Sequence, residues 1–273
     1  MPQGVIVGAY LVPGLPHLIS NKSVASWETL RRGFRQAGER IAALHPEVIV
    51  VYSTQWISVL GHSFQTHPNP KGLHVDENWY EMGDFPFDLH VDVALGTRAA
   101  EIASSFGLAT KTVNYHGFPI DTGTLVALRF LNPNNRIPVA VVSCNIYAGQ
   151  EDSFTLGKAM RQAISESGKR AVVIACSGLS SRFFTEEIDP QTDHIAHAED
   201  DAWNRRVLGL IEQGKNADVL ALSGEFARAA VADMGFKAFA WLMGAMGTPA
   251  TPGKALAYGS VWGTGAAVLE YAL

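Results

Sequence analysis

The sequence predicts an α/β fold: one domain, residues 1–273, with a central mixed β-sheet flanked by helices on both faces. Apolar runs of strand length alternate along the chain with segments of helical periodicity. Of the 273 residues, 47% are hydrophobic and 17% are charged, which suffices for a large buried core. No internal repeat, low-complexity tract or long linker divides the chain, so a single domain is the simplest prediction.

The order of the elements follows from where each pattern begins and ends. Short apolar runs bounded by turn residues predict strands, and apolar residues every three or four positions predict helices. In order, we expect a strand (4–12), a helix with Ser23 as its N-cap, strands (46–54 and 87–95), a helix (97–106), strands (110–115 and 138–144), a helix (152–167), a strand (170–176), three helices (200–214, 224–235 and 236–247) and two strands (255–262 and 266–272).

The longest predicted loop is residues 61–86, rich in His, Pro, Asn and Gly. Long loops in compact domains tend to be functional or to lie at interfaces. Four aromatic residues in and beside its second half are Trp79, Tyr80, Phe85 and Phe87. They fit the core of a protein interface, and they fit equally well a cover over the chain's own sheet.

Charge and hydropathy exclude several classes of protein. The net charge of −5, a pI near 6.0 and the lack of any Lys/Arg run argue against nucleic-acid binding. No apolar stretch approaches the roughly 20 residues of a membrane span, and the N-terminus lacks the pattern of a signal peptide. Cys144 and Cys176 lie in apolar strands, which indicates buried reduced thiols. We therefore expect a cytoplasmic protein without nucleic-acid or membrane partners.

Polar residues follow several predicted strands, and such loops converge on one crevice in a doubly wound sheet. His17 follows the first strand, Gln55 the second and Ser177 the strand 170–176, while Asp121 precedes a helix. His17 fits a metal ligand, a base or a hydrogen-bonded loop residue. Ser177 lacks the Gly-x-Ser-x-Gly context of a hydrolase nucleophile, and Asp121 fits a helix cap better than an acid.

Five segments, in order along nearly the whole chain, resemble the class III extradiol dioxygenases of the protocatechuate 4,5-dioxygenase catalytic-subunit superfamily. They are VPGLPHL (12–18), PEVIVVYSTQWISVLGH (46–62), IDTGTLVALRFL (120–131), CSGLSSRF (176–183) and AYGSVWGTGAAVLEY (257–271). The resemblance implies that family's fold, with His17 in the position of its first iron ligand.

This chain departs from the family at the residues that carry the chemistry. Gln55 stands where the family has its second iron-binding histidine, Thr122 where a histidine helps to bind dioxygen and substrate, and Ser181 where the acid/base histidine stands. An iron(II) site of this type needs two imidazoles and a carboxylate. A neutral amide at position 55 does not replace an imidazole.

The position of the family's carboxylate ligand is less well determined. It lies about one helical turn before a Trp, here Trp241, which points to Lys237. Asp233, one further turn away on the same predicted helical face, is the other candidate. If Lys237 is the match, the site presents a cation where iron needs an anion.

This pattern of losses resembles the α-subunits of one subgroup, the two-subunit 2-aminophenol 1,6-dioxygenases. The resemblance implies an α₂β₂ complex in which a homologous catalytic β-subunit holds Fe(II) and opens the ring with O₂. This chain would then bind no metal or cofactor and would keep a vestigial pocket: His17, Gln55, Thr122, Ser181, Asp233 and Lys237.

Two alternatives remain open at the level of sequence. The first is an active metalloenzyme with a rebuilt site, which would use His17 with His62 or His116 and a carboxylate such as Asp121 or Asp233. The second is a metal-free protein that binds an aromatic ligand in the same pocket.

Overall fold

The structure, a computed structural model, describes residues 3–75, 83–247 and 250–273. The strands in these ranges are β1 (Val5–Val12), β2 (Val48–Ser58), β3 (His62–Gln65), β4 (Lys71–His74), β5 (Phe85–Asp88), β6 (Thr110–Val113), β7 (Val139–Asn145), β8 (Arg170–Cys176), β9 (Lys254–Val261) and β10 (Thr264–Ala272). The α-helices are α1 (Ala25–Ala43), α2 (Val93–Ser105), α3 (Thr122–Leu131), α4 (Gln150–Ser167), α5 (Ala198–Glu212), α6 (Asn216–Ala229) and α7 (Lys237–Met246).

Eight of these strands form one mixed sheet in the order β6-β3-β7-β2-β8-β1-β10-β9. The four central strands β7, β2, β8 and β1 are parallel. Strand β10 pairs antiparallel with β1 and with β9, and β3 pairs antiparallel with β7. The predicted mixed α/β sheet is therefore confirmed.

Helices cover both faces of the sheet because the buried central strands carry apolar side chains on both sides. In β2, Val48, Val50 and Tyr52 pack into one core, and Ile49 and Val51 pack into the other. Helices α1 and α3 cover the second core, whereas α2, α4 and α7 contribute to the first. Burying each such side chain contributes about 1.5–3 kcal/mol, which fixes the strand register that positions the site.

Two predictions for the first half of the chain are wrong. The N-cap of α1 is Val24, without a side-chain hydrogen bond, and not Ser23. The segment 87–95 is mostly not a strand, because Asp92 caps α2, accepting from the Leu95 N–H at 3.2 Å. A capping carboxylate accepts a hydrogen bond from a backbone N–H that has no partner within its own helix. This contact stabilises a helix start at Asp92 and outweighs the strand-like alternation of apolar residues in 87–95.

The helix predicted at 224–235 is also misplaced, since α6 ends at Ala229. Val231, Met234 and Phe236 then adopt left-handed backbone conformations, with φ of 48°, 45° and 62°. This turn is held to the loop after β8, where the Asp233 N–H donates to the Leu179 carbonyl at 2.8 Å. Tertiary hydrogen bonds therefore stabilise a backbone conformation that a β-branched residue such as Val231 disfavours.

The predicted loop 61–86 contains strands β3 and β4 and the start of β5. Phe85 and Phe87 pack against the core beneath α1 and α3, whereas Trp79 and Tyr80 lie outside the described residues. Cys144 and Cys176 are buried and free, as predicted. In the described ranges, no helix is long and apolar enough to cross a membrane.

Candidate functional site

A cavity of about 480 Å³ lies where the loops after the parallel strands β1, β2 and β8 meet. Its volume is that of a small-molecule pocket, so side chains do not fill it. Four of the six residues predicted for the pocket line it: His17, Gln55, Ser181 and Asp233. The loops that carry His17, Gln55 and Ser181 therefore meet at one cavity, whereas the Asp121 segment does not line it.

Gln55 reaches the cavity through an irregularity in β2. Ser53 pairs with Ser143 of β7, and the next pair in the ladder is Ile57 with Cys144. Residues 54 to 56 of β2 therefore have no pairing partner in β7. The sheet holds the segment at both ends while its middle turns away from the ladder.

The Gln55 side chain packs against two glycines. A Cβ atom on Gly14 would lie 3.1 Å from Gln55 Nε2 and 2.7 Å from Cys176 Sγ. A Cβ atom on Gly123 would lie 3.2 Å from Gln55 Cδ and 2.9 Å from Ser53 Oγ. The absence of side chains at these two positions makes the space in which the Gln55 carboxamide sits.

Asp233 uses one carboxylate oxygen to join three parts of the cavity wall. Its Oδ2 accepts from Thr54 Oγ1 at 2.7 Å, from Ser177 Oγ at 2.8 Å and from the Gly178 N–H at 2.9 Å. Thr54 and Ser177 are almost completely buried. Ser177 is thus a hydrogen-bond donor that helps to fix the Asp233 carboxylate in the cavity wall.

His17 lies between two tryptophans at the other side of the cavity. Its ring stacks on Trp262 with centroids 5.9 Å apart and meets Trp27 edge-on at 5.3 Å. The loop that carries it is held by the buried Arg31 of α1, which donates to the carbonyls of Leu18 at 2.7 Å and of Ser20 at 2.7 Å. Sequence reasoning missed Arg31, although an arginine next to Leu30 in the apolar stripe of α1 is the signal that could have found it.

The remaining residues of the predicted pocket have other contacts. Ser181 Oγ donates to the Val231 carbonyl at 2.6 Å. Thr122 Oγ1 lies 2.9 Å from His74 Nε2, and Thr122 does not line the cavity. Lys237 does not line it either: its Nζ donates to the carbonyls of Asn145 at 3.1 Å and of Ile146 at 2.9 Å. Of the two candidate carboxylate positions, the structure therefore brings Asp233 to the cavity and directs the Lys237 ammonium to the turn after β7.

Two residues of the rebuilt-site alternative, His17 and Asp233, line the cavity together, and the other three do not line it. His62 lines a separate depression with Asp152, and burial lowers the pKa of its imidazole. His116 packs against His67, with ring centroids 5.6 Å apart. Asp121 is the N-cap of α3, as predicted, and accepts from the Thr124 N–H at 2.9 Å.

The residues at the cavity do not fit an iron(II) ion. His17 and Asp233 are the two conventional ligands there, and Asp233 Oδ2 already accepts three hydrogen bonds. Among the residues that the structure describes, no group of three His, Cys, Asp or Glu side chains is placed to hold a metal. A two-histidine-one-carboxylate centre needs a second imidazole, and among the described residues that line the cavity His17 is the one histidine.

The cavity lies at the carboxyl ends of the parallel strands, where open α/β sheets bind ligands, and it bears one histidine and one carboxylate. Residues 12–269 match the family model described as the catalytic LigB subunit of aromatic ring-opening dioxygenase, and the chain belongs to this family.

The relatives of the chain include both subunits of one enzyme. It is 39% identical to a 2-aminophenol 1,6-dioxygenase alpha subunit from Pseudomonas sp over 98% of this chain and 99% of the relative. It is 34% identical to a beta subunit of that name, also from Pseudomonas sp, over 100% of this chain and 96% of the relative. Identity to 3,4-dihydroxyphenylacetate 2,3-dioxygenase from Escherichia coli is 21%, over 81% and 82% of the two chains.

A crystal structure of an uncharacterized protein from Escherichia coli K12 shares the fold. It superposes with a TM-score of 0.70 at 14% identity and covers 97% of this chain and 99% of that one.

Proposed function

We propose that this chain is the non-catalytic α-subunit of a cytoplasmic 2-aminophenol 1,6-dioxygenase. In this complex, an α₂β₂ heterotetramer, a homologous β-subunit holds Fe(II) and cleaves the aminophenol ring with O₂ to 2-aminomuconic semialdehyde. Near full-length similarity to relatives that carry the names of both subunits supports the assignment. The observation that carries the non-catalytic role is Gln55, a neutral amide where an iron centre needs an imidazole.

The contribution of this chain to the complex is thermodynamic. A subunit that binds the folded β-subunit and not its unfolded chain stabilises it by RT ln(1 + [L]/Kd), about 2.7 kcal/mol at a concentration of 100 Kd. Asp233 serves this role as a structural residue, since its three hydrogen bonds fix the walls of the cavity without a metal ion.

The test is to produce the chain alone, a β-type partner alone and the two together. Iron content and O₂-dependent cleavage of 2-aminophenol are then measured for each preparation. We expect the isolated chain to bind less than one tenth of an equivalent of iron and to be inactive. The partner should become more stable and more active in the mixture. Stoichiometric iron and ring cleavage by the isolated chain would refute the proposal.

The open cavity favours a second candidate function, the binding of an aromatic molecule without reaction. Its volume of about 480 Å³ accommodates a single substituted ring, and the Gln55 carboxamide is a polar group at its wall. Calorimetric titration of the isolated chain with 2-aminophenol in the presence of a metal chelator tests this function. Binding that Gln55→Leu abolishes would support it, and no heat of binding would exclude it.

A further inference from the structure

Five large apolar side chains are exposed together beside the cavity mouth. They are Ile57, Val59, Leu60, Ile146 and Tyr147, here called the rim patch, and their exposed fractions range from 44% to 81%. Their exposed surface is on the order of 500 Å², if a fully exposed large side chain presents about 150–250 Å². This area is at the upper end of the range of exposed apolar patches on monomeric proteins.

The two segments that carry the rim patch are neighbours in the sheet. Ile57 of β2 pairs with Cys144 of β7, and the Ile146 N–H donates to the Ser58 carbonyl at 2.9 Å. Val59 and Tyr147 line one shallow depression. The rim patch is therefore one continuous surface formed by the ends of β2 and β7.

The turn that presents Ile146 and Tyr147 is held in place by polar contacts. Asn145 Oδ1 accepts from the Tyr147 N–H at 2.8 Å and from the Ala148 N–H at 3.1 Å. The Lys237 ammonium donates to the carbonyls of Asn145 and Ile146 from the opposite side. An ordered turn loses little conformational entropy on association, which favours binding.

The two chain segments that carry the rim patch contain no charged residue: neither 48–70 nor 137–150 has an Asp, Glu, Lys or Arg, although 17% of the chain is charged. Two charged side chains from elsewhere lie beside these segments, Lys237 on the carbonyls of the turn and Asp152 in the depression that Val59 and Tyr147 line. Depletion of charged residues together with exposed apolar and aromatic side chains is the composition of an interface core. Because a stable interface buries about 800 Å² on each partner, the rim patch supplies more than half of one side.

We propose that the rim patch is the surface that binds the homologous β-subunit, an inference that rests on the proposed function. The partner is a chain of the same fold that presents an apolar, uncharged surface of matching size. A β-type chain is favoured over a second copy, because relatives of this chain carry the names of the alpha and the beta subunit of a 2-aminophenol 1,6-dioxygenase. Ile57 also lines the cavity, so the bound partner lies at the cavity mouth.

The test compares a double variant, Leu60→Lys with Tyr147→Lys, with the control Phe106→Lys. Phe106 is 42% exposed and lies beside Val5 at the opposite end of β1, so the control introduces a charge on exposed apolar surface elsewhere. Binding to the separately purified β-type partner is measured by size-exclusion chromatography and calorimetry. We expect the double variant to bind at least 100-fold more weakly than the wild type and the control to bind within threefold of it.

Different results would overturn the two proposals separately. If the wild-type chain does not bind the β-type partner, the proposed function fails. If the wild type binds and the double variant binds within threefold of it, the rim patch is not the interface and the proposed function stands. If the wild-type chain dimerises by itself and the double variant is monomeric, a second copy of this chain occupies the rim patch. That result would overturn the proposal. Circular dichroism confirms folding, and Leu60→Ser with Tyr147→Ser provides a second, uncharged variant with the same expected direction.

Discussion

Removal of the Asp233 carboxylate should destabilise the protein even when no metal ion is present. The Gly178 N–H loses the acceptor that it has at 2.9 Å, and because Gly178 is half-buried at the cavity wall this costs about 1 kcal/mol. Thr54 Oγ1 can keep the Cys176 carbonyl as an acceptor at 3.2 Å, and Ser177 Oγ has the Gly178 carbonyl at 3.1 Å. Each of these hydroxyls therefore loses about 1 kcal/mol. The expected loss for Asp233→Ala is about 3 kcal/mol.

The isosteric variant Asp233→Asn keeps an acceptor oxygen but loses the negative charge. Its hydrogen bonds become neutral and weaker, so we expect a loss of about 1–2 kcal/mol. The matched control is Asp88→Ala, which removes an exposed ion pair with Lys71 and should leave the urea midpoint unchanged within error.

The assay is urea denaturation in the presence of a metal chelator, with the midpoint read at constant m-value. A loss below about 1 kcal/mol for Asp233→Ala would refute the structural role of the carboxylate. So would an Fe(II)-dependent rise in wild-type stability that Asp233→Ala abolishes, because the carboxylate would then be a metal ligand.

Three further perturbations test the surroundings of the site. Because burial lowers the pKa of His62, its imidazole is neutral in the folded protein, and the unfolded state binds the proton first as the pH falls below about 7. The contribution of His62 to the free energy of unfolding, measured by urea denaturation, should therefore fall towards acid pH by at most about 1.4 kcal/mol per pH unit, and His62→Gln should show a shallower fall of this free energy; equal slopes would contradict this. Burial also raises the pKa of Cys144 and Cys176, so a thiol reagent should label neither in the native state and both in denaturant. Lys237→Met removes the donor to two carbonyls after β7 and should cost about 1–2 kcal/mol by thermal unfolding, whereas an unchanged midpoint would show that water replaces the ammonium.

The sequence was sufficient to predict the sheet and the meeting of His17 with Gln55. Apolar runs such as 46–54 identify strands that are buried on both faces, and the carboxyl ends of parallel strands lie at one edge of the sheet. Two residues that are 38 positions apart in sequence are therefore predicted to share a cavity, and the structure places both in its wall.

The relation between Asp233 and Lys237 could not be predicted in the same way. A helical spacing of four residues predicts that both side chains lie on one face. The backbone between them is not helical, because Met234, Gly235 and Phe236 have positive φ angles. The turn depends on hydrogen bonds to the loop after β8, which local sequence does not encode. Consequently one side chain enters the cavity wall and the other binds the turn after β7.

Strand β2 rejoins β7 at Ile57 after three residues that take no part in the ladder. No pairing in the ladder between β2 and β7 depends on which side chain occupies position 55. The pairing of the sheet and the polar lining of the cavity are therefore specified by different residues of the same strand. A substitution at position 55 can change what the cavity binds while the register of the sheet stays the same.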